Sequence, residues 1–570
     1  VRARWLAILL LVLFVVQGSM AARRDSVTID EFLHLPVGLY MLYTGDFQLD
    51  PINPPLARML AAVPVAARAP AFLAQPGLGG WGLGYRFMRE NASEYQQLFV
   101  TARGVVIAMG ALLGLLVFVW ANALYGWPAA LVAVFLFSFS PSMLTHTHLV
   151  TLDEAGALGF AATLYAAWCM LARPTVGRAF LTGAVIGVAT LMKLSGFVLV
   201  AVVTALVLIR ALEERIRRPS GAPASTGEGV IAGKPTGVVR WIGLMVIVGL
   251  ASLAVLNIGY GFQGTFAPLT SARLAAGGAL ATLRDAVPGL RLPLPMPFVN
   301  GVDMVMNVGK GHDPSYFLAG ELSAEGWWYY HLAAFLFKTP LPLVLTATVA
   351  VVVWACGRDR GERAYCLYVP VLFVFGANSL FNSLDIGVRH VLAVYPLLFI
   401  ASGGLLASPI RSWLRARCQG PPAVAVPAVV ALTLLVWFFS GGVRVAPAYF
   451  EYFNELAGGP QGGYRLLIDS NLDWGQDLIR LRELMHTRGY RRVNLAYFGR
   501  VDPAVYGIDY LPLEGTRQKG PTAVSASFLM GRPYFWIEGG RMRWVKPYTY
   551  SWLQKETPVA RAGTMFVYER

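Results

Sequence analysis

The sequence predicts a polytopic α-helical membrane protein with substantial segments outside the membrane, and three observations predict it. Only 14% of the 570 residues are charged while 56% are hydrophobic; a soluble chain carries about a quarter charged residues. The apolar residues gather in runs of about 20, the length a helix needs to cross a bilayer. The basic residues fall in short clusters between those runs, where membrane topology places them.

Eleven spans can be read, at 5–22, 98–121, 127–146, 153–172, 178–193, 195–212, 240–261, 333–355, 365–382, 390–407 and 422–441. The first is expected to be an anchor, because no convincing small-residue cleavage site follows it. Arg2 and Arg4 precede span one. Arg173 and Arg178 follow span four, and Arg215, Arg217, Arg218 and Lys234 follow span six. Arg358, Arg360 and Arg363 follow span eight, and Arg411, Arg415 and Arg417 follow span ten. All these clusters share one side if the N-terminus is cytoplasmic. The tail then lies outside.

This divides the chain into a membrane part, 1–441, and an extracytoplasmic part, 442–570. Two outer loops, 23–97 and 263–332, are too long to be plain connectors. Asp30–Thr44 reads as a helix lying on the surface. In the tail, β-like runs at Val493–Phe498, Tyr534–Ile537 and Thr564–Tyr568 accompany a helical stretch at 475–487, as in a small α/β domain. Segment 219–238 reads as a flexible cytoplasmic loop. No internal repeat of the kind many transporters carry is evident.

Net charge is +15, from 47 Lys and Arg against 32 Asp and Glu. The scatter of the basic residues argues against a nucleic-acid partner. Cys169, Cys356, Cys366 and Cys418 lie near cytoplasmic span ends and show no metal-ligand spacing, so no structural disulfide is expected.

Ionisable groups at or near membrane depth are costly and mark function by default. Four clusters share the outer side. Asp30 and Glu31 follow span one, in SVTIDEFLHLP. Asp153 and Glu154 open span four in HTHLVTLDEAGALGF, just after His146 and His148, which leaves a divalent metal open. Arg58, Lys193, Lys338 and the pair Arg389–His390 put positive charge where the orientation bias disfavours it; an anionic phosphate at the membrane surface would explain them. In the tail, Asn454, Asp469, Asn471, Asp473, Trp474, Gln476 and Asp477 are polar or aromatic groups suited to gripping a sugar or an acceptor. Each cluster also has a plainer reading: an N-capped helix, a snorkelling cation, or a polar network within a folded domain.

The order and spacing of these motifs resemble the membrane GT-C glycosyltransferases, and most of all the glycosyltransferase family 39 group. That group includes protein O-mannosyltransferases and the aminoarabinose transferase of lipid A. The resemblance rests on the Asp-Glu after span one, the NPPL turn, TLDE at span four, the run GELSAEGWWYY–FLFKTPLPL at 320–343, and DSNLDWGQDL. The last is the most specific and is similar to bacterial phospholipid-carrier-dependent members. The resemblance implies a GT-C-type core in a bacterial inner membrane, with surface helices in the first outer loop. It implies a monosaccharide donor on polyprenyl phosphate, Asp30 as the catalytic base, and Asp153 with Glu154 beside the same cavity. Where some relatives place a lysine before the PPL turn to meet the donor phosphate, this chain has Asn53. Phosphate contact is then expected from Arg58, Lys193 or Arg389.

The residue types suit that chemistry. A lipid phosphate leaves readily, so one carboxylate base and one or two cations suffice for a single displacement with inversion. The acceptor is a hydroxyl on a protein, lipid or glycan, and membrane lipids are the surroundings. A transporter or flippase of a lipid-linked sugar, and a non-catalytic sugar- or lipid-binding scaffold, are the alternatives.

Overall fold

The computed structural model describes residues 2–72, 77–216, 237–307, 315–359, 361–381, 384–416, 422–538 and 541–569. Arg217, Arg218, Lys234, Arg360, Arg417, Cys418 and nearly all of the loop read at 219–238 lie outside them.

The chain is a multi-pass helical membrane protein. Seven helical segments among the described residues are long and apolar enough to cross a membrane. They contain α1 (Arg2–Arg24), α5 (Tyr95–Tyr125), α8 (Asp153–Ala172), α10 (Leu199–Ile216), α11 (Val238–Gly259), α17 (Tyr395–Arg415) and α18 (Pro422–Val445). An eighth is a broken pair, α6 (Trp127–Ser138) and α7 (Pro141–Thr147), bent by 61°. Pro141 lacks the backbone N–H that would continue the ladder, and Ser140 caps the new helix by accepting from the Met143 N–H. Three remaining expected spans are shorter apolar helices: α9 (Val176–Met192), α15 (Leu341–Ala355) and α16 (Tyr365–Phe381). The short α14 (Tyr330–Lys338) leads into α15.

Small residues let the spans approach closely, as is usual where lipid removes the hydrophobic drive between helices. A Cβ on Gly183 of α9 would lie 2.2 Å from the Val248 carbonyl oxygen of α11, and one on Gly187 would lie 2.7 Å from Val255. Gly159 of α8 sits against Ala189 of α9 in the same way.

The segment between α1 and α5 holds α2 (Ile29–Thr44), α3 (Pro55–Ala66) and α4 (Gly80–Glu90). The surface position expected for α2 is corrected here. Phe32, Leu35, Val37 and Leu39 are fully buried, because the helix is apolar nearly all round and lies beneath α3 and α4. The segment after α11 carries α12 (Ala279–Ala286), α13 (Met296–Asn307) and the hairpin β1 (Tyr316–Leu318) with β2 (Glu321–Ser323). It docks on the segment between α1 and α5, with Asn300 donating to Gln48 at 3.0 Å.

The tail forms a mixed five-stranded sheet in the order β4-β3-β5-β9-β8: β3 (Val493–Ala496), β4 (Tyr510–Pro512), β5 (Thr522–Ser525), β8 (Ala560–Ala562) and β9 (Met565–Tyr568). β3 runs parallel to β4 and β5, while β9 runs antiparallel to β5 and β8. A separate hairpin pairs β6 (Tyr534–Glu538) with β7 (Arg541–Val545). The helix expected at 475–487 is α19 (Leu478–Arg488). The tail shares one apolar cluster with the membrane helices, running from Phe14 of α1 to Tyr568 of β9.

Candidate functional site

Four charged side chains from four separate segments meet at one end of the bundle. Asp30 stands in the first turn of α2 and Asp153 opens α8. Lys193 lies in extended backbone (φ −147°, ψ 133°) between α9 and a 3-10 turn at Leu194–Val198. Arg389 lies in a second 3-10 turn, Val388–Val394, that leads into α17. The Arg389 guanidinium donates to Asp30 at 2.6 Å and lies 3.9 Å from Asp153. The Lys193 ammonium donates to the other Asp153 oxygen at 2.7 Å. The result is a row of alternating charge: Asp30, Arg389, Asp153, Lys193. Asp30 and Lys193 keep 26% exposure, so the row is reachable by solvent.

Local packing sets this geometry. Gly156 leaves room for the lysine stem, since a Cβ there would lie 2.7 Å from Lys193 Cδ. The Trp474 ring supports Arg389 from below, 4.5 Å from the guanidinium carbon. Asn471 accepts from the Val388 N–H at 2.9 Å, and the Ser470 hydroxyl donates to the Ile386 carbonyl at 2.7 Å. The tail therefore holds the turn that carries Arg389. Asp153, Lys193, Arg389 and His390 line a small cavity of about 40 Å³. It has room for a few waters at most, so a larger headgroup enters only as these side chains part. The His390 Nε2 has no hydrogen-bond partner among the described residues.

Several expected site residues stand elsewhere. Glu31 points away from Asp30 and is fully buried in an ion pair with Arg103 at 2.6 Å. It also accepts from the Thr28 N–H at 3.0 Å and the Val150 N–H at 2.9 Å, which makes it a structural knot. Glu154 turns into the bundle beside Gly110 and Thr147, with neither carboxylate oxygen partnered among the described residues. Arg58 is 1% exposed, pairs with Asp50 at 2.6 Å and donates to the carbonyls of Asp50, Asn53 and Pro54. It braces the NPPL turn and is not a free cation. Lys338 is buried and donates to the carbonyls of Phe450 and Tyr452 at 2.9 and 2.6 Å, pinning the start of the tail.

The tail residues expected to grip substrate are mostly internal. Asn454 donates to the carbonyls of Leu336 and Thr339. Asn471 also donates to the Tyr330 hydroxyl at 2.9 Å. Asp473 accepts from the Ser527 N–H at 3.0 Å, and burial pushes its carboxyl up to about 7. Gln476 and Asp477 bond to each other and to Thr564. Trp474 reaches the charge row only through its face under Arg389. Asp469, held at φ 57°, pairs with Arg532.

The same segment stitches the tail to the chain just after α1. Ser26 N–H donates to the Gln476 carbonyl at 2.8 Å, and Ile29 N–H to the Trp474 carbonyl at 3.1 Å. Gly475, at φ 88°, supplies the turn between them. Asp25 accepts from Arg480 at 2.7 Å and faces the His148 Nε2 at 2.8 Å. Burial pushes the Asp25 carboxyl up, but Arg480 and His148 outweigh it and hold it below the usual carboxylate range. His148 is thus spent on Asp25. Among the described residues no group of three or more His, Cys, Asp or Glu side chains converges as a metal site would need.

The sequence reading missed Arg103 and Asp25, although a lone arginine inside an apolar span was signal enough. It also missed Arg500, whose guanidinium lies 4.7 Å from the Trp81 ring and 4.8 Å from that of Tyr534.

Residues 96–223 match the family model described as dolichyl-phosphate-mannose-protein mannosyltransferase. No curated protein matches the chain. Among solved structures the chain is similar to ArnT from Cupriavidus metallidurans bound to undecaprenyl phosphate. The two are 14% identical over 99% of this chain and 97% of that one, with a TM-score of 0.46. The apo state of the same protein gives 15% identity over 100% and 98%, with a TM-score of 0.47. The archaeal oligosaccharyltransferase AglB from Archaeoglobus fulgidus, in complex with an inhibitory peptide and a dolichol-phosphate, gives 13% identity over 96% and 75%, with a TM-score of 0.45.

Proposed function

We propose that the chain is an inverting glycosyltransferase that moves a monosaccharide, hexosyl or pentosyl, from a polyprenyl-phosphate carrier to a hydroxyl acceptor at the outer face of a bacterial inner membrane. The observation that carries this reading is the row Asp30, Arg389, Asp153 and Lys193. One carboxylate with a reachable edge stands beside two cations at the end of a membrane bundle. The match over residues 96–223 agrees with it, since that family's description names a dolichyl-phosphate-linked mannose and a protein.

In the reaction the acceptor oxygen bonds to the anomeric carbon and the bond from that carbon to the phosphate oxygen breaks. The acceptor proton passes to Asp30. The electron pair leaves on the phosphate, whose charge Arg389 and Lys193 meet. In the structure both cations are paired with carboxylates. An arriving phosphate competes for them and loosens Asp30 from Arg389, so the base is released only when donor is present. Asp153 keeps the two cations apart and aimed at one point. Asn471 and Trp474 act as positioning residues through Arg389.

The test uses purified full-length protein with a polyprenyl-phospho-sugar identified by mass spectrometry of membrane lipids. That lipid should accumulate in cells lacking the chain. Asp30→Asn is expected to lower transfer by about 10²–10⁴-fold, the usual contribution of a general base, while donor binding and melting temperature stay near wild type. Transfer at the wild-type rate would remove Asp30 from the mechanism.

A further inference from the structure

We infer that the opposite end of the bundle carries a second ligand site, which holds the phosphate headgroup of an acidic phospholipid. A cavity of about 500 Å³ opens there between α5, α6, α15, α16 and α17, within the range of sites that hold small molecules, roughly 300–1,000 Å³. Arg358 and Arg411 stand on its rim. Arg411 follows Arg389 by about 22 residues of nearly continuous helix, or about 33 Å, and that is close to the thickness of the hydrocarbon core. The cavity therefore lies one bilayer away from the charge row, at the level of the other leaflet's headgroups.

The site has the charge and the walls such a ligand needs. Both arginines are exposed, and neither has a side-chain partner among the described residues. Asp359, the one carboxylate among the described lining residues, is already committed. It accepts from the hydroxyls of Tyr125 at 2.9 Å and Tyr368 at 2.6 Å, and from the Gly361 N–H at 2.7 Å. Asp359 thus fixes the wall and leaves the arginines' charge unbalanced. The Tyr125 ring is seated between Gly361 and Gly404, where a Cβ would come within 2.8 and 2.9 Å of it. Leu124, Ala350, Val353 and Leu405 make the floor apolar. On the same helix as two of them, Leu345, Val349 and Val352 face outward as lipid-exposed surface for acyl chains. Guanidinium groups match phosphate oxygens in geometry as well as charge, and basic pockets between membrane helices are a recurring form of lipid headgroup site.

The experiment is native mass spectrometry and thermal melting of the full-length protein in neutral detergent. The added lipids are phosphatidylglycerol, phosphatidylcholine or undecaprenyl phosphate. Phosphatidylglycerol is expected to be retained and to raise the melting temperature, while phosphatidylcholine does neither. The double variant Arg358→Gln/Arg411→Gln should weaken phosphatidylglycerol binding about tenfold or more, the effect of losing a charged contact. Ser408→Trp, which fills the mouth without changing charge, should do the same, and Lys193→Met should not. Equal retention of phosphatidylcholine, unchanged binding in both mouth variants, or loss of binding in Lys193→Met would each overturn the site. Undecaprenyl phosphate held in preference to phosphatidylglycerol, and released by the mouth variants, would overturn the phospholipid assignment.

Discussion

Asp30 and Glu31 are neighbours in sequence with opposite surroundings, and helix geometry explains why. Consecutive residues of an α-helix point about 100° apart, so an Asp-Glu pair cannot present both carboxylates to one site. Asp30 faces Arg389, while Glu31 is driven inward against Arg103, where both partners are 0% exposed. The same rule separates Asp153 from Glu154. The two acidic motifs were legible as special, but which member of each faces the site was decided by helix phase. Arg58 and Lys338 show the converse limit. Their charge stood out in the sequence, yet Arg58 is taken up by the Asp50 carboxylate and the carbonyls of its own turn, and Lys338 by carbonyls of the tail that only the fold brings near. Asp473 offers a test at this scale. Burial lifts its carboxyl to about 7, against about 3.9 in an unfolded chain. The folded state then holds the proton more tightly. Its favourable contribution is complete below about pH 4 and is lost as pH rises to about 7. Asp473→Asn imitates the protonated form, so it should stabilise the protein at pH 8 by about 1–3 kcal/mol and have little effect near pH 4.5. Melting curves that shift equally at both pH values would show that Asp473 is not the titrating group.

Among the elements, the membrane helices were the most legible, because a run of about 20 apolar residues admits few other structures. All eleven expected spans fall on helices, although three are short and one is broken at Pro141. The burial of α2 was harder to see. Its sequence carries the acidic pair and reads as an interfacial helix, and only the cover of α3 and α4 makes it internal. DSNLDWGQDL, read as gripping a substrate, is drawn into internal bonds for a related reason. Polar side chains in a loop suit a ligand and a neighbouring segment equally well, and here they are taken by Ile386, Val388, Ser527 and Thr564, while the loop's own carbonyls take the N–H groups of Ser26 and Ile29. The α9–α11 seam supplies a prediction about packing between elements. Gly183 lies against a carbonyl oxygen, which cannot yield as a side chain would, whereas Gly249 of α11 faces open space. Gly183→Ala is therefore expected to cost about 1–3 kcal/mol through overpacking. Gly249→Ala should be neutral or stabilise by up to about 1 kcal/mol through helix propensity. Melting temperatures in detergent would compare the two, and equal tolerance would mean that the seam is looser than drawn.

At the scale of the molecule, the candidate site exists only because residues far apart in the chain are gathered at one end of the bundle. Asp30 and Arg389 are 359 positions apart, and Asn471 of the tail holds the turn between them and α17. Such a convergence cannot be read from spacing; what the sequence offered was side, through the count of spans and the bias of arginine. We keep the division at residue 441, with outer loops 23–97 and 263–332, as a proposal of where membrane gives way to water. The geometry fixes Asp30 and Asp153 at the same end of the bundle, and the proposed transfer needs that end to face outward. Single cysteines in a background without the four native ones decide this. Thr44→Cys in α2 and Thr487→Cys in α19 sit on exposed positions at the site end and on the tail, and Ser412→Cys sits on an exposed position near the far cavity. In intact cells a membrane-impermeant maleimide should label the first two, and the third only after permeabilisation. The opposite pattern would place Asp30 in the compartment where the inside-positive bias of the sequence puts Arg358 and Arg411. An outer-face transfer would then be lost, even though the charge row itself would stand unchanged.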